Sequence, residues 1–145
     1  MKARLLVIVG PTASGKTQLA VELATHYKTE IVSADSRQIY RELNIGTAKP
    51  GLEERSGIPH HFIDHISIHE NYNAGIYGRE ANVVLENIFE KKPTAIMAGG
   101  TGLFVKAALE GLDELPQADE ELRQQLQEQL ENKGIKILAD QLKIL

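Results

Sequence analysis

The sequence predicts an α/β domain, a parallel sheet covered by helices on both faces. Three observations predict it. Short apolar runs of strand type alternate with longer stretches of helical spacing. The apolar runs are nearly continuous, the habit of strands buried on both sides. The first run, LLVIV at residues 5–9, leads straight into a glycine-rich turn and then a helical pattern.

Taken in order, strands are expected at 4–9, 30–34 (EIVSA), 61–66 (HFIDHI) and 94–98 (TAIMA), with helices over 15–27, 74–91, 102–110 and 119–132. In the first helix Leu19, Ala20, Leu23 and Ala24 fall at helical spacing. In the fourth, Leu122, Leu126 and Leu130 form a narrow stripe and Gly134 is the stop. A further apolar-rich helix, IKILADQLKIL, runs to Leu145 without a cap or polar tail; either the chain is a fragment of a longer protein, which is the expectation, or this helix packs into a dimer. Residues 35–59 are long and irregular, with Asn44, Gly46, Pro50, Gly51, Gly57 and Pro59. A loop of that length is more often functional than idle. The expected organisation is a core domain over 1–112, followed by the start of a helical insertion domain over 113–145.

Composition narrows the function classes. At 145 residues the chain is long enough for one domain with a sizeable core. It contains no cysteine, which excludes a disulfide framework and a thiolate zinc site. Met1-Lys2-Ala3-Arg4 leads directly into a strand instead of a signal sequence, and no apolar run approaches membrane-spanning length. A cytoplasmic protein that does not engage a membrane is expected. The net charge of −4 argues against wholly electrostatic nucleic-acid binding but leaves room for a local basic face.

The first motif carrying chemistry is Gly10-Pro11-Thr12-Ala13-Ser14-Gly15-Lys16-Thr17, a complete G-x-x-x-x-G-K-[ST] phosphate loop between a strand and a helix. Its glycines let successive backbone N–H groups turn inward on an anion. The helix N-terminus adds a positive dipole end. Lys16 supplies a mobile cation, and the Thr17 hydroxyl can ligate a phosphate-bound Mg2+. A P-loop NTPase-like sheet, nucleotide binding and ATP binding are the general expectations. The loop reads a polyphosphate and says nothing of what is attached to it.

A second constellation follows the second strand: Asp35-Ser36-Arg37-Gln38. Ligands of doubly wound sheets lie at the carboxyl ends of the strands. Asp35 is thus expected beside the phosphate loop, where a carboxylate can ligate magnesium or accept a proton. Arg37 suits a phosphate and Gln38 a base edge. The plainer alternative is a cap at Asp35 or Ser36 with solvated neighbours. A third constellation, Gly99-Gly100-Thr101-Gly102, ends the fourth strand. Either Thr101 points its hydroxyl into the same crevice, or it is simply the N-cap of the next helix.

Two features argue against a hydrolase. The strand TAIMA ends in glycine where a hydrolase of this fold carries an acidic magnesium ligand, and Asp64 in HFIDHI is a poor substitute. The guanine-reading N-K-x-D is also absent. His60 and His61 invite a metal reading, but neighbours on a strand face opposite ways, so they are left structural or RNA-facing.

GPTASGKT, SADSRQIYRELNIGTAKP, IPHHFID and AGGTGLF, in this order and spacing, resemble the N-terminal half of the bacterial tRNA isopentenylpyrophosphate transferase (tRNA dimethylallyltransferase) family. The resemblance covers roughly residues 4–132. It implies transfer of a dimethylallyl group from dimethylallyl diphosphate to N6 of the adenosine on the 3′ side of the tRNA anticodon. It also implies Mg2+ as cofactor, the anticodon stem-loop as partner and a monomer at full length. Residues 10–17 would grip the diphosphate, with Thr17 on the metal. Asp35 would hydrogen-bond the amine and act as general base, with Thr101 near both substrates. Asp35, Ser36, Arg37, Gln38, Thr101 and Arg123 would contact the tRNA. Without the resemblance Arg123 reads as an ordinary exposed helix charge. Phe104 stands where the family often has tyrosine. Family members are about twice as long, so these residues alone are expected to bind a diphosphate weakly without modifying tRNA. The alternatives are a small-molecule kinase of the same fold, a prenyltransferase acting on free adenine nucleotide, and a non-catalytic phosphate- or RNA-binding module.

Overall fold

The computed structural model describes residues 2–112 and 119–144. The chain divides into two compact units, Met1–Leu112 and Asp113–Leu145. The expected start of the insertion domain, at residues 113–118, lies outside the described residues.

The first unit is built on a four-stranded sheet of β1 (Arg4–Val9), β2 (Ile31–Ser33), β3 (His60–His61) and β4 (Thr94–Gly99). Its order is β1-β4-β2-β3, and every pairing is parallel. Helices α1 (Lys16–Tyr27), α2 (Leu52–Arg55) and α3 (Ala74–Phe89) lie between successive strands, and α4 (Gly102–Leu109) follows β4. Side chains of a strand alternate between faces, and the core divides accordingly. Ile31 and Ile96, with the half-buried Leu6 and Ile8, pack against Ala20, Val21 and Ala24 of α1. Val32, Ala95 and Met97, with the half-buried Leu5 and Val7, pack against Tyr77, Ala81 and Leu85 of α3 and Phe104 of α4. Both faces are therefore covered, as the near-continuous apolar strands require. Each fully buried side chain of this kind contributes about 1.5–3 kcal/mol.

Two expectations are corrected. On α1 the buried stripe is Ala20–Val21–Ala24, and Leu19 is exposed. The strand expected over 61–66 joins the sheet only at His60–His61, and beyond a break Ile66 forms a single parallel bridge with Tyr40. Phe62 adopts φ 63° and Asp64 φ 56°, left-handed conformations that break the strand. Tertiary packing overrides the β propensity here. The buried Phe62 ring sits edge-on to both Tyr77 and His65, each at 5.0 Å. The histidine pair follows from the same geometry. His60 Nδ1 lies 2.8 Å from the Ile58 carbonyl, and His61 Nε2 pairs with Glu30 Oε2 at 2.6 Å. Among the described residues no three His, Asp or Glu side chains gather as a metal site.

The second unit is a helical hairpin of α5 (Glu120–Lys133) and α6 (Ile135–Leu142), turned by Gly134. Asp119 caps α5 by accepting the Leu122 N–H at 3.0 Å. Leu122, Leu126, Leu130 and Leu138 line a shallow groove in this unit, together with Asp119, Arg123 and Gln127. No described helix is long and apolar enough to cross a membrane.

Candidate active site

The carboxyl ends of β1, β2 and β4 open onto a cavity of about 300 Å³. Thr12 through Gln18 line it, and so do Asp35, Gln38, Thr47, Ala48, Glu54 and Ala98 through Gly100. Four separate stretches of sequence therefore meet at one place, the crevice that doubly wound sheets offer to ligands.

The phosphate loop owes its shape to backbone conformation. Ala13 (φ 62°) and Gly15 (φ 82°) are both left-handed, which curls the chain and starts α1 at Lys16. Gly15 is the N-cap and offers no side chain, so the first-turn N–H groups keep their capacity for an anion. Lys16 Nζ folds back over the loop and donates to the Pro11 carbonyl, with Ser14 Oγ at 3.5 Å. Gly10 and Pro11 lie outside the cavity lining, and they shape the turn behind it.

Asp35 has two environments. Its Oδ1 accepts the N–H groups of Arg37 at 2.9 Å and Gln38 at 3.2 Å, capping the turn that leaves β2. The same side chain lines the cavity. The capping alternative and the crevice expectation therefore describe one carboxylate. The end of β2 is fixed from behind by Tyr77, whose hydroxyl donates to the Ser33 carbonyl at 3.0 Å. The Tyr77 ring stacks on Phe104 at 4.2 Å, and burial pushes its phenol above its ordinary range.

Three expected contacts take other partners. The Gln38 side chain lines the cavity, but its Nε2 donates to the carbonyls of Thr47 (3.1 Å) and Ala48 (3.0 Å), where a free base reader was expected. Thr101 occupies the N-cap position of α4 without capping it. Its Oγ1 accepts the Ser36 N–H at 2.9 Å and donates to Ser36 Oγ at 3.2 Å, so the hydroxyl joins the ends of β2 and β4. Ser36, Arg37 and Thr101 all lie outside the cavity lining. Asp64 pairs with Lys49 at 2.6 Å and Arg55 at 3.3 Å and lies outside the cavity lining. Desolvation raises the Asp64 carboxyl, but hydrogen bonds and charge from Lys49 and Arg55 outweigh it and hold the carboxyl below its usual range. Arg123 belongs to the helical hairpin, 72% exposed and 3.9 Å from Glu120.

Thr47, Ala48 and Glu54 were missed by sequence reasoning. The signal available was the run IGTAKP, residues 45–50, within the long irregular loop.

A family model described as IPP transferase matches residues 38–145, three quarters of the chain. The chain belongs to the IPP transferase family. The matched span starts after the phosphate loop, and whole-chain relatives extend the likeness over it. The tRNA dimethylallyltransferase of Cytophaga hutchinsonii is 52% identical over 139 residues, 96% of this chain and 46% of that protein. The tRNA dimethylallyltransferase of Christiangramia forsetii is 46% identical over 145 residues, 100% of this chain and 48% of that protein. The crystal structure of the full-length tRNA isopentenylpyrophosphate transferase of Bacillus halodurans matches with a TM-score of 0.75 at 38% identity, covering 97% of this chain and 47% of that one. A eukaryotic dimethylallyltransferase acting on tRNA matches with a TM-score of 0.73 at 30% identity, covering 83% of this chain and 31% of that one. The chain spans about half the length of the curated relatives it matches.

Proposed function

We propose that this chain carries the diphosphate-gripping and base-activating part of a tRNA dimethylallyltransferase. One observation carries the reading: a single cavity lined both by the phosphate loop and by Asp35. Family membership supports the same chemistry, and the names of the relatives supply the substrate class.

In this reading the donor is dimethylallyl diphosphate and the acceptor is N6 of an adenosine in the anticodon stem-loop. The loop N–H groups and Lys16 stabilise the charge that builds on the departing pyrophosphate. A Mg2+ ion would be held by the Thr17 hydroxyl together with diphosphate oxygens, a donor set that suits a cation keeping most of its water. When bound, it adds positive charge to the leaving group. The amine gives its proton to the Asp35 carboxylate as its nitrogen attacks the allylic carbon. Such a base is worth about 10²- to 10⁴-fold in rate. Oδ1 anchors the turn and so aims the carboxyl group without a further hinge. The target base must leave its stack to reach this depth, as enzymes acting on bases generally require.

The test is to incubate the longest natural form of the chain with magnesium, radiolabelled dimethylallyl diphosphate and unmodified tRNA. ATP replaces the donor in a parallel reaction. Label in tRNA that is lost in Lys16→Ala and Asp35→Ala is the expected result. Phosphate transfer from ATP with no label in tRNA overturns the reading in favour of a kinase.

A further inference from the structure

We infer that Lys49 is a positioning residue for the diphosphate site, its buried ammonium stapling the segment 40–48 so that Thr47 and Ala48 form a fixed wall of the cavity. The inference deepens the proposed function and rests on it.

The Lys49 side chain is 6% exposed. An ammonium has three protons, and each finds an acceptor: the Tyr40 carbonyl at 2.7 Å, Asn44 Oδ1 at 3.0 Å and Asp64 Oδ1 at 2.6 Å. One acceptor is at the start of the segment, one is in its middle, and the third belongs to the turn after β3. That third partner is braced in turn. Arg55 reaches Asp64 Oδ2 at 3.3 Å and donates from Nε to the Pro50 carbonyl at 2.9 Å. Gln38 holds the Thr47 and Ala48 carbonyls, and Thr47 Oγ1 donates to the Leu43 carbonyl at 3.0 Å.

This bracing has a purpose beyond closing a loop. Ala48 lines the cavity with φ 50°, a left-handed conformation that a non-glycine residue holds only where its surroundings over-determine it. The chain gives Ala48 carbonyl ties on one side and the saturated ammonium of its neighbour on the other. Lys49 itself lies outside the cavity lining, so its influence on a ligand passes through Thr47 and Ala48. Removing the ammonium takes the shared donor from the Tyr40 carbonyl and Asn44 Oδ1 and cuts their tie to Asp64, which keeps Arg55, and the segment is expected to loosen.

The experiment compares the wild type with Lys49→Met, Lys49→Arg and Lys16→Ala at a temperature where circular dichroism shows each folded. Hydrogen exchange of residues 41–48 reports the wall, and titration calorimetry with sodium pyrophosphate and magnesium reports the site. Lys49→Met is expected to exchange faster at 41–48 with β4 unchanged, and to bind pyrophosphate roughly 2- to 30-fold more weakly. Lys49→Arg keeps the charge but cannot place three donors around one point, and it should show a smaller change in both readouts. It decides the matter if Lys49→Met does not fold. Lys16→Ala should lose pyrophosphate while keeping the exchange pattern. Pyrophosphate binding lost in Lys16→Ala but unchanged in both Lys49 variants overturns this proposal alone. The absence of pyrophosphate binding in the wild type overturns the diphosphate reading and takes the proposal with it.

Discussion

Thr101 and Ser36, 65 residues apart in sequence, exchange two hydrogen bonds across the carboxyl edge of the sheet: Ser36 N–H to Thr101 Oγ1 at 2.9 Å and Thr101 Oγ1–H to Ser36 Oγ at 3.2 Å. The Thr101 N–H also donates to the Ala34 carbonyl at 3.1 Å. The turn bearing Asp35 is thereby tied to the glycine turn after β4. Thr101→Val keeps the volume and removes the hydroxyl, leaving the half-buried Ser36 N–H without its partner. The expected cost is about 1–3 kcal/mol in urea unfolding, and Thr101→Ser should recover most of it. A valine variant as stable as the wild type would show that the bridge contributes nothing.

Gly99 and Gly15 should respond differently to the same change. A Cβ on Gly99 would stand 2.1 Å from the Ala34 carbonyl oxygen and 2.4 Å from its carbon. Both obstacles are backbone of the neighbouring strand, so β4 and the end of β2 would have to part. Gly99→Ala is expected to cost about 3 kcal/mol or more and to spread the cavity floor. A Cβ on Gly15 meets nothing within 4 Å, but φ there is 82°. Gly15→Ala is then expected to cost only about 1–2 kcal/mol, as backbone strain in the phosphate loop. Denaturation midpoints of the two variants, measured side by side, check the order.

Much of this was legible because it is local. The loop from Gly10 to Thr17 declares itself by residue type and by the strand before it. The apolar runs at 4–9 and 94–98 name both buried faces of the sheet. What was hidden depends on partners distant in sequence. Nothing near Phe62 says that its ring will be captured by Tyr77 and end the strand at His61. The same holds for Gln38, whose amide is used by two carbonyls of a loop that had no predictable shape. Residue type offers Asp35 as either a cap or a cavity carboxylate, and only the fold makes it both.

That double engagement gives Asp35 two separable substitutions. Asp35→Asn keeps an oxygen for the Arg37 and Gln38 N–H groups but cannot take a proton. It should leave thermal stability near that of the wild type, while kcat for tRNA prenylation in the longest natural form falls about 10²- to 10⁴-fold at unchanged KM for the donor. Asp35→Ala loses the cap as well, adding about 1 kcal/mol of destabilisation. Equal kcat in Asp35→Asn and wild type, measured with saturating dimethylallyl diphosphate, would remove Asp35 from the role of base.

Acid should weaken the first unit in two stages, through His60 and then Asp64. Burial lowers the His60 pKa from its ordinary 6.5, with Arg55 and His61 adding to the effect against the Ile58 carbonyl. The folded state therefore favours neutral His60. Its contribution is complete above 6.5 and is lost as the pH falls through the lowered folded value. Asp64, below its ordinary 3.8 because Lys49 and Arg55 outweigh desolvation, contributes fully above 3.8 and loses that contribution under stronger acid. Both signs agree, so the unfolding temperature should fall on acidification from pH 7, first just below 6.5 and again below 3.8. His60→Gln should flatten the upper step and leave the lower one. Asp64→Asn should flatten the lower step while reducing stability at pH 7, because Lys49 then stays buried without its counter-charge. An upper step that persists in His60→Gln would show that His60 is not its source.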